Sequence, residues 1–91
     1  MDLIIETKQY KLRYDHFAMV YIHTFISRKL NRYARVGINY YLTKKEVKEL
    51  IKWLNSQSWS NYDKQREKLI DQLELMEMVM EGKERARFYF W

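Results

Sequence analysis

Tyr40-Tyr41-Leu42-Thr43-Lys44-Lys45-Glu46-Val47 is the stretch on which the fold turns, because the hydrophobic period changes inside it. Upstream, Ala34, Val36, Ile38, Tyr40 and Leu42 alternate with Tyr33, Arg35, Gly37, Asn39 and Tyr41, the period of two that marks a half-buried strand. Downstream, Val47, Leu50, Ile51 and Leu54 fall at i, i+3, i+4 and i+7, the apolar stripe of an amphipathic helix. The junction is a capping box. The Thr43 hydroxyl can accept a backbone N–H of the first turn while the Glu46 carboxylate reaches back to the cap.

Working outward, the first half reads as strands. Ile4, Tyr10, Leu12 and Tyr14 share one parity, and Gln9, Lys11 and Arg13 share the other, with Asp15-His16 as a turn. Phe17 to Ile26 is apolar on both parities and rich in aromatic and β-branched residues, which suits a central strand covered on both faces. A buried helix is the competing reading, since periodicity alone does not separate the two. Ser27 to Arg32 then forms a basic connection.

The second half reads as helical. After a break at Asn55 to Ser58, a second helix should begin near Ser58 or Ser60 and run to Glu81, with Tyr62, Leu69, Leu73, Met76 and Met80 facing the core and Gly82 ending it in the left-handed conformation. Ala86, Phe88 and Phe90 alternate with Arg85, Arg87, Tyr89 and Trp91 in a closing strand. The order strand, strand, strand, helix, helix, strand predicts an α+β fold. In it, a small antiparallel sheet of three to four strands packs against a helical hairpin. With 91 residues, two glycines and no proline, the chain should form a single domain over residues 1–91.

Charge is unevenly distributed. Residues 8–35 hold seven bases against the single acid Asp15, and six of the eight tyrosines lie between Lys8 and Tyr41. Residues 69–81 carry Asp71, Glu74, Glu77 and Glu81 with no base. If the first and third strands turn their apolar parities inward, Lys11, Arg13, Tyr33, Arg35 and Tyr41 point outward together. Lysine and arginine neutralise phosphates, and exposed rings stack on unpaired bases, as a single-strand-binding platform requires. The connection containing Arg28, Lys29 and Arg32 is a second basic candidate, able to follow a nucleic-acid backbone. Lys44, Lys45, Lys48 and Lys52 read instead as an ordinary solvated helix face, diluted by Glu46 and Glu49.

Two apolar features point to protein contact. Leu75, Met78 and Val79 lie off the core stripe, so the helix end is apolar nearly all round; either the core is wide there or the segment offers an adaptable interface. Trp91 ends a run of four aromatics that should be docked as a strand. At a sheet edge that strand would be able to pair with a partner.

Catalytic signals are sparse. There is no cysteine, no HExxH, no P-loop and no nucleophile elbow. His23 sits among apolar neighbours, as a satisfied core residue does. His16 with Arg13 supports only a minor ribonuclease reading, histidine moving protons and arginine steadying phosphate. No cofactor or metal is expected. The start lacks a signal-peptide pattern, and no apolar run approaches the roughly 20 residues of a membrane span, so a cytoplasmic location is expected.

The strand order does not match the βαββαβ order of the common single-stranded RNA-binding fold. The leading expectation is a non-catalytic protein whose basic, tyrosine-rich surface engages nucleic acid or a nucleic-acid-handling enzyme. Small chains of this kind are common among the accessory proteins of phages and mobile elements. Some of those, the anti-CRISPR proteins among them, inhibit host defence nucleases by steric blocking. The alternative is a homodimer formed through the methionine-rich helix end and the aromatic tail.

Overall fold

The computed structural model describes residues 2–31, 34–57 and 63–91. Its elements are β1 (Leu3–Glu6), β2 (Lys11–Tyr14), α1 (His16–Lys29), β3 (Asn39–Thr43), α2 (Lys44–Ser56), α3 (Asp63–Val79) and β4 (Arg85–Phe90). The four strands form one antiparallel sheet in the order β2-β1-β4-β3. The α+β class and the predicted order hold, with α1 inserted between the second and third strands.

The chain from Ile4 to Tyr14 is a hairpin and not one strand. Thr7 N–H donates to the Tyr10 carbonyl (2.8 Å), and Tyr10 N–H donates to the Thr7 hydroxyl (3.1 Å), closing a turn around Lys8 and Gln9. Reversal there changes the parity. Leu3 and Ile5 are fully buried, while Ile4 sits opposite Arg13 on the outer face.

The predicted central strand from Phe17 to Ile26 is a helix. Ala18, Met19, Ile22, Phe25 and Ile26 are buried at i, i+1, i+4, i+7 and i+8, a helical stripe, while Val20 faces solvent. The reason lies in the layering. All buried strand residues lie on one face of the sheet and join the buried helix residues in one core, so among the described residues no second layer covers a strand apolar on both sides. The basic connection is correspondingly the last turn of α1, where Arg28 and Lys29 complement the negative end of the helix dipole. Asn31 follows at φ 53°, a left-handed conformation that asparagine tolerates.

The third strand starts later than its alternation implies. Gly37 has φ 82°, in a region open to glycine, and regular pairing begins only at Asn39, although the Gly37 N–H still donates to the Phe90 carbonyl of β4 (2.8 Å). Val36 and Ile38 are exposed as a result, whereas Ala34 is buried, with its N–H on the Ser27 hydroxyl (2.9 Å). Arg35 therefore lies in a loop, its N–H donating to the Tyr40 hydroxyl (2.8 Å).

The helical hairpin follows the sequence closely. Thr43 and Glu46 form the capping box in both directions, and Val47, Leu50 and Leu54 are fully buried. In α3, Leu69, Leu73 and Met76 face the core, as does Met80 just past its end; the predicted start at Ser58 or Ser60 and the core role of Tyr62 lie outside the described residues. The helix ends at Val79 and not at Glu81, and Gly82 does not take the left-handed conformation. Lys44 does the capping instead. Its ammonium donates to the carbonyls of Glu77 and Met80 (3.0 Å to the latter) and stands 3.3 Å from the Glu77 carboxylate.

β4 is an inner strand, lying between β1 and β3, with Ala86, Phe88 and Phe90 fully buried. The aromatic tail thus has no free edge to offer a partner.

Candidate nucleic-acid interface on the open sheet face

Because the helices cover one face of the sheet, the opposite parity of every strand points away from the core. Register then fixes which outward side chains are neighbours. One cross-strand row reads Arg13, Ile4, Tyr89, Asn39; the next reads Lys11, Glu6, Arg87, Tyr41. Arg85 opposite Thr43 begins a third. Trp91 extends the face at the other end, where Asp2 and Trp91 exchange backbone bonds (2.6 and 3.0 Å). Lys11 and Tyr41 mark the two ends of a row about 14 Å wide, three strand spacings.

The face carries four cations, Lys11, Arg13, Arg85 and Arg87, and three rings, Tyr41, Tyr89 and Trp91. Tyr41 and Trp91 are about half exposed, at 53% and 48%. Two of the arginines are held in place. The Arg13 guanidinium lies 4.8 Å from the centre of the Trp91 ring and 3.0 Å from the Asp2 carboxylate. Arg87 pairs with Glu6 at 3.0 Å, donates to Asn39 at 3.0 Å and lies 5.8 Å from the Tyr89 ring. Cation–π stacking and ion pairing fix these side chains before any ligand arrives. Lys11 and Arg85 form no ion pair among the described residues.

At the lower edge of the face lies a shallow depression of about 510 Å³ of mixed charge, bordered by Lys8, Lys83, Arg85 and Arg87 and by the carboxylates Glu6, Glu81 and Glu84. Glu84 anchors its rim. The Lys8 N–H donates to its carboxylate at 2.8 Å and holds that carboxyl below the usual carboxylate range, with the Glu81 N–H (3.2 Å) adding to the effect.

Of the sequence-predicted residues, the structure brings Lys11, Arg13 and Tyr41 together on this face. Arg35 stands apart in the 34–38 loop. Arg28 and Lys29 belong to the helical layer, where Lys29 is bonded to Glu49 of α2; that bond raises the lysine's pKa and lowers the glutamate's. Arg32 and Tyr33 lie outside the described residues. Arg85, Arg87 and Tyr89 complete the face, and their signal was the polar parity of the closing strand.

The protein-contact candidates separate in space. Leu75, Met78 and Val79 form an exposed stripe on α3, with Met78 69% exposed, while Met76 and Met80 are buried. Trp91 sits on the other layer, against Arg13. They do not make one patch.

His23 donates from Nε2 to the Ala34 carbonyl (2.9 Å) and meets Phe90 edge-on at 5.5 Å, as a partnered, half-buried residue. His16 is the first residue of α1, and its side chain lies outside the described residues. Among the described residues no three histidines or carboxylates converge as a metal site, and no helix is long and apolar enough to cross a membrane. No known protein family matches the sequence, and searches of curated proteins and of solved structures return no match.

Proposed function

We propose that this chain is a non-catalytic binding module whose open sheet face engages single-stranded nucleic acid. The observation that carries the reading is the register, which sets four cations and three rings on one uncovered surface. Phosphates would lie against Lys11, Arg85 and the two stacked arginines, and unpaired bases against Tyr41, Tyr89 and Trp91. An open sheet face suits single strands, whose bases can splay onto it, better than a duplex. The test is fluorescence anisotropy with short labelled RNA and DNA strands and their duplexes. Single strands should bind more tightly than duplexes, and Arg85→Glu should weaken both RNA and DNA binding. Equal affinity of Arg85→Glu and wild type removes the reading.

A second reading is favoured by the ion pairs. Asp2 and Glu6 already neutralise half of the cationic charge, and arginine stacked on tryptophan or tyrosine is the composition of protein-binding hot spots. In that reading the face docks on a nucleic-acid-handling enzyme and blocks its groove, as an anti-CRISPR-like inhibitor of a defence nuclease carried by a phage or mobile element would. A pull-down performed before and after nuclease digestion separates the two. Nucleic acid captured in the first case and nothing in the second supports direct binding; an enzyme retained after digestion supports inhibition.

A further inference from the structure

The sheet has a second feature that neither reading uses, the outer edge of β2, which pairs with no further strand among the described residues. Thr7 and Tyr10 bond across the hairpin, and bonding alternates along an antiparallel pair. Leu12 and Tyr14 therefore turn their N–H and C=O groups toward β1, whereas Lys11 and Arg13 turn theirs outward. Alongside this edge runs a cleft of about 340 Å³, walled by Gln65, Lys68 and Gln72 of α3 and floored by Ala18 and Leu69. Gln72 is fixed in place by the Tyr14 hydroxyl, whose burial pushes its pKa up and keeps it a hydrogen-bond donor.

The geometry points to a peptide-binding cleft in which an extended acidic segment of a partner protein adds a fifth strand beside β2. Three observations select that occupant. First, the edge presents donors and acceptors alternately, which another peptide backbone matches in full. A phosphodiester accepts only from the N–H groups and would place its negative oxygens against the Lys11 and Arg13 carbonyls. Second, charge chooses among peptides. Side chains opposite Lys11 and Arg13 share their outward parity and pair with them across strands, so glutamate or aspartate at alternate positions is favoured; Asp15 and Lys68, which also line the cleft, carry opposite charges and do not alter that preference. Third, the same charges exclude a second copy of this edge, because an antiparallel β2–β2 pair sets lysine and arginine against their own kind. The intervening peptide side chains would face Leu69 and the two glutamines, so small β-branched residues fit there.

This cleft stands whether or not the sheet face binds nucleic acid. The test uses the full chain, labelled with ¹⁵N, and the peptide Thr-Glu-Val-Glu-Val-Glu-Thr with blocked ends. A lysine-for-glutamate counterpart and a version N-methylated on the pairing edge serve as controls. The acidic peptide should slow hydrogen exchange at the Lys11 and Arg13 amides and leave the Leu12 and Tyr14 amides unchanged. The lysine counterpart, the N-methylated peptide and the Lys11→Glu protein should each bind at least tenfold more weakly. Binding of the lysine counterpart with equal affinity, or of the acidic peptide without protection at Lys11 and Arg13, overturns the assignment. So does an absence of binding at millimolar peptide. Protection of the same amides by an oligonucleotide and not by the peptide gives the edge to nucleic acid instead.

Discussion

Replacing Lys44 with methionine should destabilise the protein far more than any neighbouring surface lysine. The side chain leaves the first turn of α2 and ends at the C-terminus of α3, where its ammonium bonds the carbonyls of Glu77 and Met80. It is 28% exposed, and the Glu77 side chain beside it is 14% exposed. Methionine keeps the apolar stem and removes the charge. A hydrogen bond from a charged group contributes about 1.5–3 kcal/mol. A cation at a helix C-terminus adds about 0.3–1 kcal/mol. Lys48, 3.6 Å from the same carboxylate, offsets part of the loss by leaving Glu77 one partner. The net expectation is about 2–3 kcal/mol, which for a domain of this size lowers Tm by about 8–20 °C. The assay is urea denaturation followed by circular dichroism, with Lys45→Met as the control at an exposed neighbouring position. Lys45→Met should stay within about 0.5 kcal/mol of wild type. Adding Glu77→Gln to Lys44→Met should recover stability by removing an under-compensated carboxylate. Equal midpoints for Lys44→Met and Lys45→Met refute the reasoning.

Three further outcomes follow from the site and its surroundings. Glu6→Gln releases Arg87 and removes a repulsive charge that would stand on the order of 7 Å from a phosphate held by Arg87 on its other side. It should tighten single-strand binding about threefold, from about 0.6 kcal/mol of Coulomb energy in water; unchanged or weaker binding contradicts the placement of ligand on this face. Trp91→Ala should cost about 1–3 kcal/mol of binding if its ring stacks on a base, with an unchanged circular dichroism spectrum; unaltered affinity removes the ring from the site. Glu84 should titrate below the ordinary glutamate value in a carboxyl-detected NMR experiment, because the Lys8 N–H favours its charged form. Its contribution to stability is then fully present above the unfolded-state value and is lost as pH falls through the lower folded value. Titration at the ordinary value shows that the tether does not hold in solution.

Much of the fold was legible because its signals are local. The capping box of Thr43 and Glu46, the stripe of α2 and the alternation of β4 each depend on residues a few positions apart, and each forms as read. The stretch from Phe17 to Ile26 was misleading for a physical reason. A run apolar on both parities fits a doubly covered strand or a buried helix, and only the absence of a second layer over the sheet among the described residues decides between them. The helical stripe through Ala18, Ile22 and Phe25 was present in the same letters. Gly37 was a visible sign that the strand before Thr43 should start late.

The candidate site was legible only in part, because it depends on pairings between distant segments. Leu3 lies opposite Phe90, which places β4 beside β1 and brings Arg85, Arg87 and Tyr89 next to Lys11 and Arg13. No local period encodes that neighbourhood. Lys44 is the converse case. Its spacing marks it as one of four lysines on a solvated helix face, yet the α2–α3 packing turns it into a cap for another helix.

The central claim is that the open face neutralises phosphates, and the salt dependence of single-strand binding tests it most directly. Lys11 and Arg85 supply two neutralised phosphates, and Arg13 and Arg87 supply two more if they exchange their carboxylates for phosphate. The slope of log K against log salt should then lie between about −1.4 and −2.8, a loss of about 7- to 50-fold between about 50 and 200 mM salt. A Lys11→Glu, Arg85→Glu double variant should flatten that slope by about 1.4, to between zero and about −1.4. Binding that holds its strength across this range, or a double variant with the wild-type slope, contradicts the account.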